Sequence, residues 1–170
     1  QMRAAWHQIS KRQTAALIPE LKEALLDMNT RSSVKIHIIW CLESLGYFDA
    51  GLWKELLSYF NPNIRREAVR ALSSLQPDLK EVHRLLSRLA SDSSFSVRNE
   101  LVRFYRDTPQ TLTEAHKTFL SNMRIANDKL PTNKARGWKG EYLALGGAYE
   151  SAFLNLLIDK ALNREKAPEP

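Results

Sequence analysis

The sequence has few of the residues that mark disulfide-bonded, metal-dependent or membrane-spanning proteins. Its 170 residues include one cysteine, Cys41, so no disulfide can form within the chain. The four histidines (His7, His37, His83 and His116) are scattered, and no pair has the spacing of metal ligands. No apolar run approaches the roughly 18 residues that suggest a membrane span. We therefore expect no disulfide scaffold, no metal or other cofactor, and no membrane span.

Cys41 and the Gly146-Gly147 pair could belong to a functional site, but a structural role explains each of them better. Cys41 lies between Trp40 and Leu42 in an apolar segment, which is typical of a small buried hydrophobe rather than a thiol nucleophile. No strand precedes Gly146-Gly147 and no GxxxxGK[ST] pattern exists, so a helix break or a close helix crossing is expected there instead of a phosphate loop. We predict no catalytic residues and no enzymatic activity for this segment.

The charge balance permits an anionic partner but does not require one. Lys and Arg number 25 against 19 Asp and Glu, a net charge of +6. The chain begins Gln1-Met2-Arg3, and we interpret it as a segment of a longer polypeptide, so that any targeting signal could lie outside it. Residues 164–170 are interpreted as a linker or tail. The single cysteine fits a reducing compartment, so a cytoplasmic location is the default expectation.

Helix signals dominate the chain, and no stretch alternates apolar and polar residues for long enough to indicate a sheet. Asp49 is a plausible N-cap and Gly46 a natural helix stop, and breaks are expected at Asn61-Pro62 and Thr108-Pro109. The predicted helices cover 16–28, 34–45, 49–60, 63–75, 78–91, 95–106, 111–127 and roughly 139–163. The sequence thus predicts an all-α fold.

Three segments of the chain superimpose without gaps, which is the signature of an internal repeat. They are Val34 to Leu42, Ile64 to Leu72 and Val97 to Tyr105, and they lie 30 and 33 residues apart. A polar turn precedes each segment, and a leucine-rich helix precedes each turn. Each segment starts with a β-branched residue that is followed by a base, and these bases are Lys35, Arg65 and Arg98.

A leucine-rich helix, an Asp or Asn turn and then Val-Arg-x-x-Ala/Leu-Val/Ile-x-x-Leu resembles the HEAT repeat, over about 16–107. The resemblance implies an armadillo-like α-α superhelix over 1–163, in which 108–163 form diverged or capping helices and hairpins stack on a continuous core. It also implies that the three bases are structural, paired with acidic turn residues or helix C-terminal carbonyls. The implied function is a non-catalytic scaffold or protein-interaction module whose partner is a protein or neighbouring domain, not a small molecule.

The helical period places one set of residues on a common face. If the three aligned segments are inner helices, positions two, six and nine after the leading Val or Ile line a concave surface. In chain order these positions hold Ile36, Trp40, Glu43, Arg66, Arg70, Ser73, Asn99, Arg103 and Arg106. The predicted partner-binding residues are Trp40, Arg66, Arg70, Asn99, Arg103 and Arg106.

The arginine-rich stripe leaves a second function open. A basic groove with an aromatic at one end suits a phosphate backbone, an acidic peptide or an anionic carbohydrate. The alternative is a solvated basic face, with Trp40 buried against a preceding repeat. HEAT-like DNA glycosylases grip DNA on such a face and use a carboxylate beside aromatics, for which Glu43 is the candidate. Charge reversal of Arg70 plus Arg103 is expected to abolish electrostatic binding and leave the fold nearly intact.

A second resemblance concerns the C-terminal part. The stretch from Trp138 to Gly146, followed by Glu150, Ala152 and Phe153, resembles a segment of multidomain bacterial proteins that join a propeller, HEAT repeats and a cytochrome c module. That resemblance implies a helical spacer exported with its protein, although the haem-attachment motif CxxCH is absent from this chain. The aromatic residues otherwise predicted to form the core of a C-terminal cap are Trp138, Tyr142, Tyr149 and Phe153.

Overall fold

The computed structural model describes residues 15–128 and 138–163, with side chains described for 15–127 and 150–163. Every regular element in these ranges is a helix, so the predicted all-α fold is confirmed. The α-helices are α1 (Ile18–Leu26), α2 (Ser32–Ser44), α3 (Ala50–Leu57), α4 (Pro62–Leu75), α5 (Leu79–Leu86), α6 (Phe95–Asp107), α7 (Glu114–Asp128) and α8 (Trp138–Leu162). Two short 3₁₀ helices span Ala15–Leu17 and Ser87–Ser91.

Local signals determine where the helices of the N-terminal part of the chain begin and end. At the start of α3 the Asp49 carboxylate accepts a hydrogen bond from the Leu52 N–H at 2.8 Å, so the predicted N-cap is confirmed. At the end of α2, Gly46 has φ +65°, which glycine adopts without a Cβ penalty. The Tyr47 N–H then donates to the Leu42 carbonyl at 2.9 Å, as in a Schellman motif. The predicted stop at Gly46 is therefore confirmed.

The chain divides into two compact units, Gln1–Arg88 and Leu89–Pro170. In the first unit α1 packs against α2 and α3 packs against α4, so consecutive helices form hairpins. In addition, α2 packs against α4 and α3 packs against α5. This alternation is the pattern expected of stacked helical hairpins, in which neighbours bury a face that one hairpin alone leaves exposed.

The core of the first unit lies between these helices. Trp53 of α3 is fully buried, and its Nε1 donates to the Ala68 carbonyl of α4 at 3.3 Å, which satisfies the buried donor. Cys41 is also buried, as predicted, and burial raises the pKa of its thiol. The other fully buried apolar residues of this unit include Leu25, Ile39, Leu42, Leu56, Ile64, Leu72 and Leu86.

The base that follows the leading Val of the first aligned segment is structural. Lys35 is 0% exposed, and its Nζ donates to the carbonyl of Leu25 and, at 2.7 Å, to that of Asp27. These carbonyls lie at and just beyond the end of α1, where helical acceptors have no partner within the helix. Lys35 thus ties the end of one helix to the start of the next.

The corresponding bases of the second and third segments do the same. Arg65 Nη1 donates to the carbonyls of Tyr59 at 2.7 Å and Phe60 at 3.0 Å, both just beyond the end of α3. Arg98 Nη1 donates to the carbonyl of Asp92, which follows the second 3₁₀ helix. The predicted structural role of the three bases is confirmed, and their partners are main-chain carbonyls in every case.

In the second unit α6 and α7 both pack against α8. The Asn127 side chain of α7 donates to Ser151 Oγ and Asn155 Oδ1 of α8, each at 2.9 Å. The helix runs through Gly146-Gly147 without interruption, so the helix break predicted there is wrong. A glycine costs a helix about 1 kcal/mol, which weakens the helix without ending it.

The predicted aromatic core of the C-terminal cap lies largely outside the described side chains, which exclude Trp138, Tyr142 and Tyr149. Phe153 is described and is 41% exposed, so its assignment to the core is wrong. The helical period explains the difference, because the buried residues of this part of α8 occupy another face. They are Leu154, Leu157, Ile158 and Ala161.

Candidate functional site

The packing of α2 against α4 brings the first two rows of the predicted face together. Trp40 and Glu43 lie on α2, and Arg66 and Arg70 lie on α4. Trp40, Arg66 and Arg70 each donate a hydrogen bond to Glu67 of α4, and Arg70 also forms an ion pair with Glu43. These five side chains are called the Glu67 cluster below.

Glu67 is the centre of the cluster because it accepts hydrogen bonds from three side chains. Trp40 Nε1 donates to Oε2 at 3.1 Å, and Arg70 Nε donates to the same oxygen at 2.8 Å. Arg66 donates to Oε1 from Nε at 3.2 Å and from Nη2 at 2.8 Å. The carboxylate therefore fixes an indole and two guanidinium groups in one arrangement.

Arg70 extends the cluster back to α2. Its Nη1 and Nη2 donate to the two carboxylate oxygens of Glu43 at 3.0 and 2.5 Å, while its Nε binds Glu67. Bidentate pairs of this kind are geometrically specific as well as charge-assisted. All three guanidinium nitrogens of Arg70 are thus occupied by carboxylates, and the pair joins the two helices.

Burial within the cluster separates the two signs of charge. The side chains of Glu67 and Glu43 are 9% and 16% exposed, whereas those of Arg66 and Arg70 are 38% and 37% exposed. The carboxylates are recessed and the guanidinium groups form the outer layer. The exposed surface is consequently cationic, although the cluster contains as many carboxylates as guanidinium groups.

The pKa shifts follow from these contacts. Burial alone would raise the pKa of Glu67, but the hydrogen bonds from Arg70, Trp40 and Arg66 outweigh it and hold the pKa below its usual value. Burial likewise opposes the charged form of Arg70, and the hydrogen bonds to Glu43 and Glu67 overcome it and raise the pKa of Arg70. Both groups are held in their charged forms at neutral pH.

Glu67 was not among the predicted site residues, although the sequence contains a signal for it. An acid three residues before an arginine on a helix forms an i,i+3 pair, and Glu67 precedes Arg70 at that spacing. The predicted stripe contains only the residues two, six and nine positions after the leading Val or Ile, whereas Glu67 lies three positions after Ile64. Its inclusion changes the face of the first unit from an arginine stripe to a set of ion pairs.

The sequence left open whether Trp40 lies at the end of a basic groove or is buried against a preceding repeat. Its side chain is neither fully exposed nor fully buried, and its polar edge is bonded to Glu67 of α4. Its ring lies 4.9 Å from the ring of His37, centroid to centroid. His37 Nδ1 lies 2.7 Å from the Ser33 carbonyl, which only accepts, so Nδ1 carries the proton and donates. Two aromatic side chains are thereby held together on the α2 side of the cluster.

The remaining predicted residues, Asn99, Arg103 and Arg106, lie on α6 in the second unit. Asn99 is half-buried, and in the described part of the chain its Oδ1 is buried without a hydrogen-bond partner. Arg103 is exposed, and Arg106 forms an ion pair with Asp107 at 2.6 Å. Of the three, Arg103 is the residue that presents an exposed cation.

The described residues contain neither a cluster of metal ligands nor a membrane-spanning helix. No group of three or more His, Cys, Asp or Glu side chains there is placed to hold a metal ion. Among the same residues no helix has both the length and the apolar character needed to cross a membrane. Comparisons of the chain with protein-family models, curated proteins and solved structures found no match.

Proposed function

We propose that the chain is a non-catalytic helical-repeat module of the HEAT type, which binds a protein partner or a neighbouring domain. Two features support the repeat assignment. The bases Lys35, Arg65 and Arg98 bind main-chain carbonyls in the same way in three successive segments. In the first unit, hairpins also pack with alternate helices in contact, as stacked repeats do.

The Glu67 cluster is the observation that carries the binding proposal. Tryptophan and arginine are the residues most enriched among those that dominate the binding energy of protein interfaces. Here Trp40, Arg66 and Arg70 are partly exposed and are already held by carboxylates. Side chains fixed before binding lose less conformational entropy when a partner docks, so a given contact area contributes more to affinity.

Affinity purification with matched variants tests this function. The immobilised chain, a Trp40→Ala/Arg66→Ala double variant and an Arg103→Ala control would be exposed to extract of the cells that express the protein. We expect proteins that are retained by the first and third chains and lost from the second, as measured by quantitative mass spectrometry. Identical retention by all three chains, or no specific retention, contradicts the proposal. Circular dichroism checks that each variant is folded.

Nucleic-acid binding is a second candidate, favoured by the exposed Arg103 and by the net charge of +6. Titration with duplex and single-stranded DNA at several salt concentrations tests it, because phosphate contacts weaken steeply as salt rises. Nucleic-acid binding is contradicted if the chain does not bind DNA at low salt, or if its affinity for DNA does not change with salt concentration. The glycosylase variant of this function requires a reactive Glu43, and unchanged activity in Glu43→Gln would reject that site.

The ion pairs change how the arginines should be tested. Charge reversal of Arg70 would place a third carboxylate beside Glu43 and Glu67, and like charges in a partly buried site destabilise the fold. The fold would therefore not stay nearly intact, contrary to the expectation from the sequence. Arg66 is the better position, because its only ion pair in the described residues is with Glu67.

A further inference from the structure

We propose that the Glu67 cluster recognises an acidic peptide segment, with a peptide carboxylate bound to Arg66 and an adjacent apolar side chain against Trp40 and His37. This inference rests on the proposed function and names the chemistry of the partner. It follows from the donors that the cluster leaves unoccupied, from the depth of its charges and from the position of its aromatic rings.

The unoccupied donors are on Arg66. A guanidinium has five N–H donors in a fixed plane. Arg66 Nε and Nη2 both donate to one oxygen of Glu67, so that carboxylate occupies the edge of the guanidinium that these two nitrogens share. In the described residues no acceptor contacts Nη1. The end of the group, formed by Nη1 and Nη2, therefore retains the two parallel N–H donors that bind a carboxylate bidentately.

The depth of the charges favours an anion at this point. Glu67 and Glu43 are recessed, so an incoming carboxylate meets the outer guanidinium layer first. Glu67 also holds the Arg66 side chain in place before the ligand arrives. The second guanidinium, that of Arg70, uses all three of its nitrogens on Glu43 and Glu67 and adds positive charge without offering an equivalent free end.

The aromatic side of the cluster supplies the second half of the recognition. Trp40 and Arg66 bind opposite oxygens of the same carboxylate, so they are neighbours on the surface. Trp40 is half-buried and stands against His37, 4.9 Å between ring centroids. Neighbouring side chains of one extended peptide can reach both points, because residues two apart on one face of a strand are separated by about 7 Å. An acidic residue followed two positions later by an apolar or aromatic one matches this arrangement.

A peptide fits the cluster better than a nucleic-acid strand does. A phosphate backbone presents a regular series of negative charges and requires several unpaired cations along its path. The cluster has two arginines and two carboxylates, and Arg70 already donates from each of its three nitrogens to a carboxylate. A single peptide carboxylate needs only the free end of Arg66.

Fluorescence anisotropy with defined probes tests the proposal. The first probe is the labelled peptide Gly-Ser-Asp-Gly-Phe-Ser-Asp-Gly-Leu-Ser-Gly, in which each Asp lies two residues before an apolar side chain, and the second carries Asn in place of both Asp residues. The third probe is a labelled ten-nucleotide single-stranded DNA. We expect the acidic peptide to bind the chain about tenfold more tightly than the Asn peptide, since loss of a charge-assisted bidentate pair changes affinity by that order.

Variants locate the site on the chain. Arg66→Gln should weaken binding of the acidic peptide about tenfold, and Arg66→Lys should weaken it less, because a lysine keeps the charge but loses the fork. Trp40→Ala should weaken the binding of both peptides. The matched control Arg103→Gln removes an exposed arginine of the second unit and should change affinity less than about twofold.

Three results would overturn the inference. One is the absence of acidic-peptide binding up to about 1 mM, which corresponds to a very weak complex. Another is equal binding of the acidic and Asn peptides. The third is DNA binding that exceeds peptide binding and is lost in Arg66→Gln. If any of these occurs while the affinity purification still yields proteins lost from the Trp40→Ala/Arg66→Ala variant, the interaction module stands and only the acidic-peptide chemistry fails.

Discussion

Lys35 places an ammonium group inside the first unit, where an unpaired charge would be strongly unfavourable. Two carbonyl oxygens accept hydrogen bonds from this group. The centroid of the Tyr59 ring lies 5.2 Å from Nζ, which adds a cation–π contact. The carbonyls belong to the end of α1 and the turn after it. Lys35 therefore satisfies acceptors that the helix cannot satisfy itself.

Replacing Lys35 tests this role. Lys35→Met keeps most of the apolar stem but leaves the buried Leu25 carbonyl unsatisfied and removes one of the two donors to the Asp27 carbonyl, which keeps the Thr30 N–H at 3.1 Å. We expect the free energy of unfolding to fall by about 2 kcal/mol. Urea denaturation followed by circular dichroism measures the change. The control Lys54→Met alters an exposed lysine of α3 and should stay within about 0.5 kcal/mol of the native chain. Equal losses in the two variants would contradict the structural role of Lys35.

Glu67 should make stability sensitive to acid. Its pKa is near 4.5 in the unfolded chain and lower in the folded chain, so between these values the unfolded state binds more protons. The stabilisation is complete above about pH 4.5 and is lost as pH falls through the folded pKa. Glu67→Gln should therefore be less stable than the native chain at pH 7, and the gap should narrow below pH 4.5. Urea denaturation at pH 7, 5 and 3 measures it, and a gap that widens in acid would contradict this assignment.

The residues that sequence reasoning placed correctly are those whose role depends on local spacing. Lys35, Arg65 and Arg98 follow the leading Val or Ile of the three aligned segments, and each binds carbonyls within ten residues along the chain. The contacts of Glu67 with Trp40 and of Arg70 with Glu43 span 27 residues, so they depend on how α2 and α4 pack. A helical period gives the face of a residue but not the partner that faces it.

At the scale of elements, helix ends were the most predictable feature. Asp49, Gly46 and Asn61-Pro62 carry chemistry that acts within one turn, and each is found at the expected boundary. The glycines of α8 show the opposite case, since the helix continues through Gly146-Gly147. A propensity of about 1 kcal/mol per residue is too small to fix by itself where a helix ends.

Gly46 offers a test at this scale. Its φ is +65°, a backbone conformation that residues with a Cβ rarely adopt. An added Cβ would meet no atom within 4 Å, so the cost of a substitution comes from the backbone conformation and not from a clash with neighbouring atoms. Gly46→Ala should lower the free energy of unfolding by about 1 kcal/mol, and Gly46→Asn should lower it less, because Asn tolerates the left-handed region. Urea denaturation of both variants gives the order. If Gly46→Asn costs as much as Gly46→Ala, the end of α2 is not limited by backbone conformation.

At the scale of the whole chain, the two units have separate sets of fully buried residues. Leu72 belongs to the first unit and Leu101 to the second, and both are 0% exposed. A leucine truncated to alanine in a core costs about 2 to 5 kcal/mol, because the cavity collapses only partly. In repeat proteins such a loss is felt mainly by the elements that share the cavity.

Native-state hydrogen exchange of paired variants measures whether stability is divided in this way. Leu72→Ala should reduce protection of the α2, α3 and α4 amides by about 2 kcal/mol or more, and should reduce protection in α6 and α7 by less. Leu101→Ala should give the reverse pattern, which makes each variant the control of the other. An equal loss in all helices from either variant would mean that the chain unfolds as one cooperative body, and the stacked-repeat proposal would then lose its energetic basis.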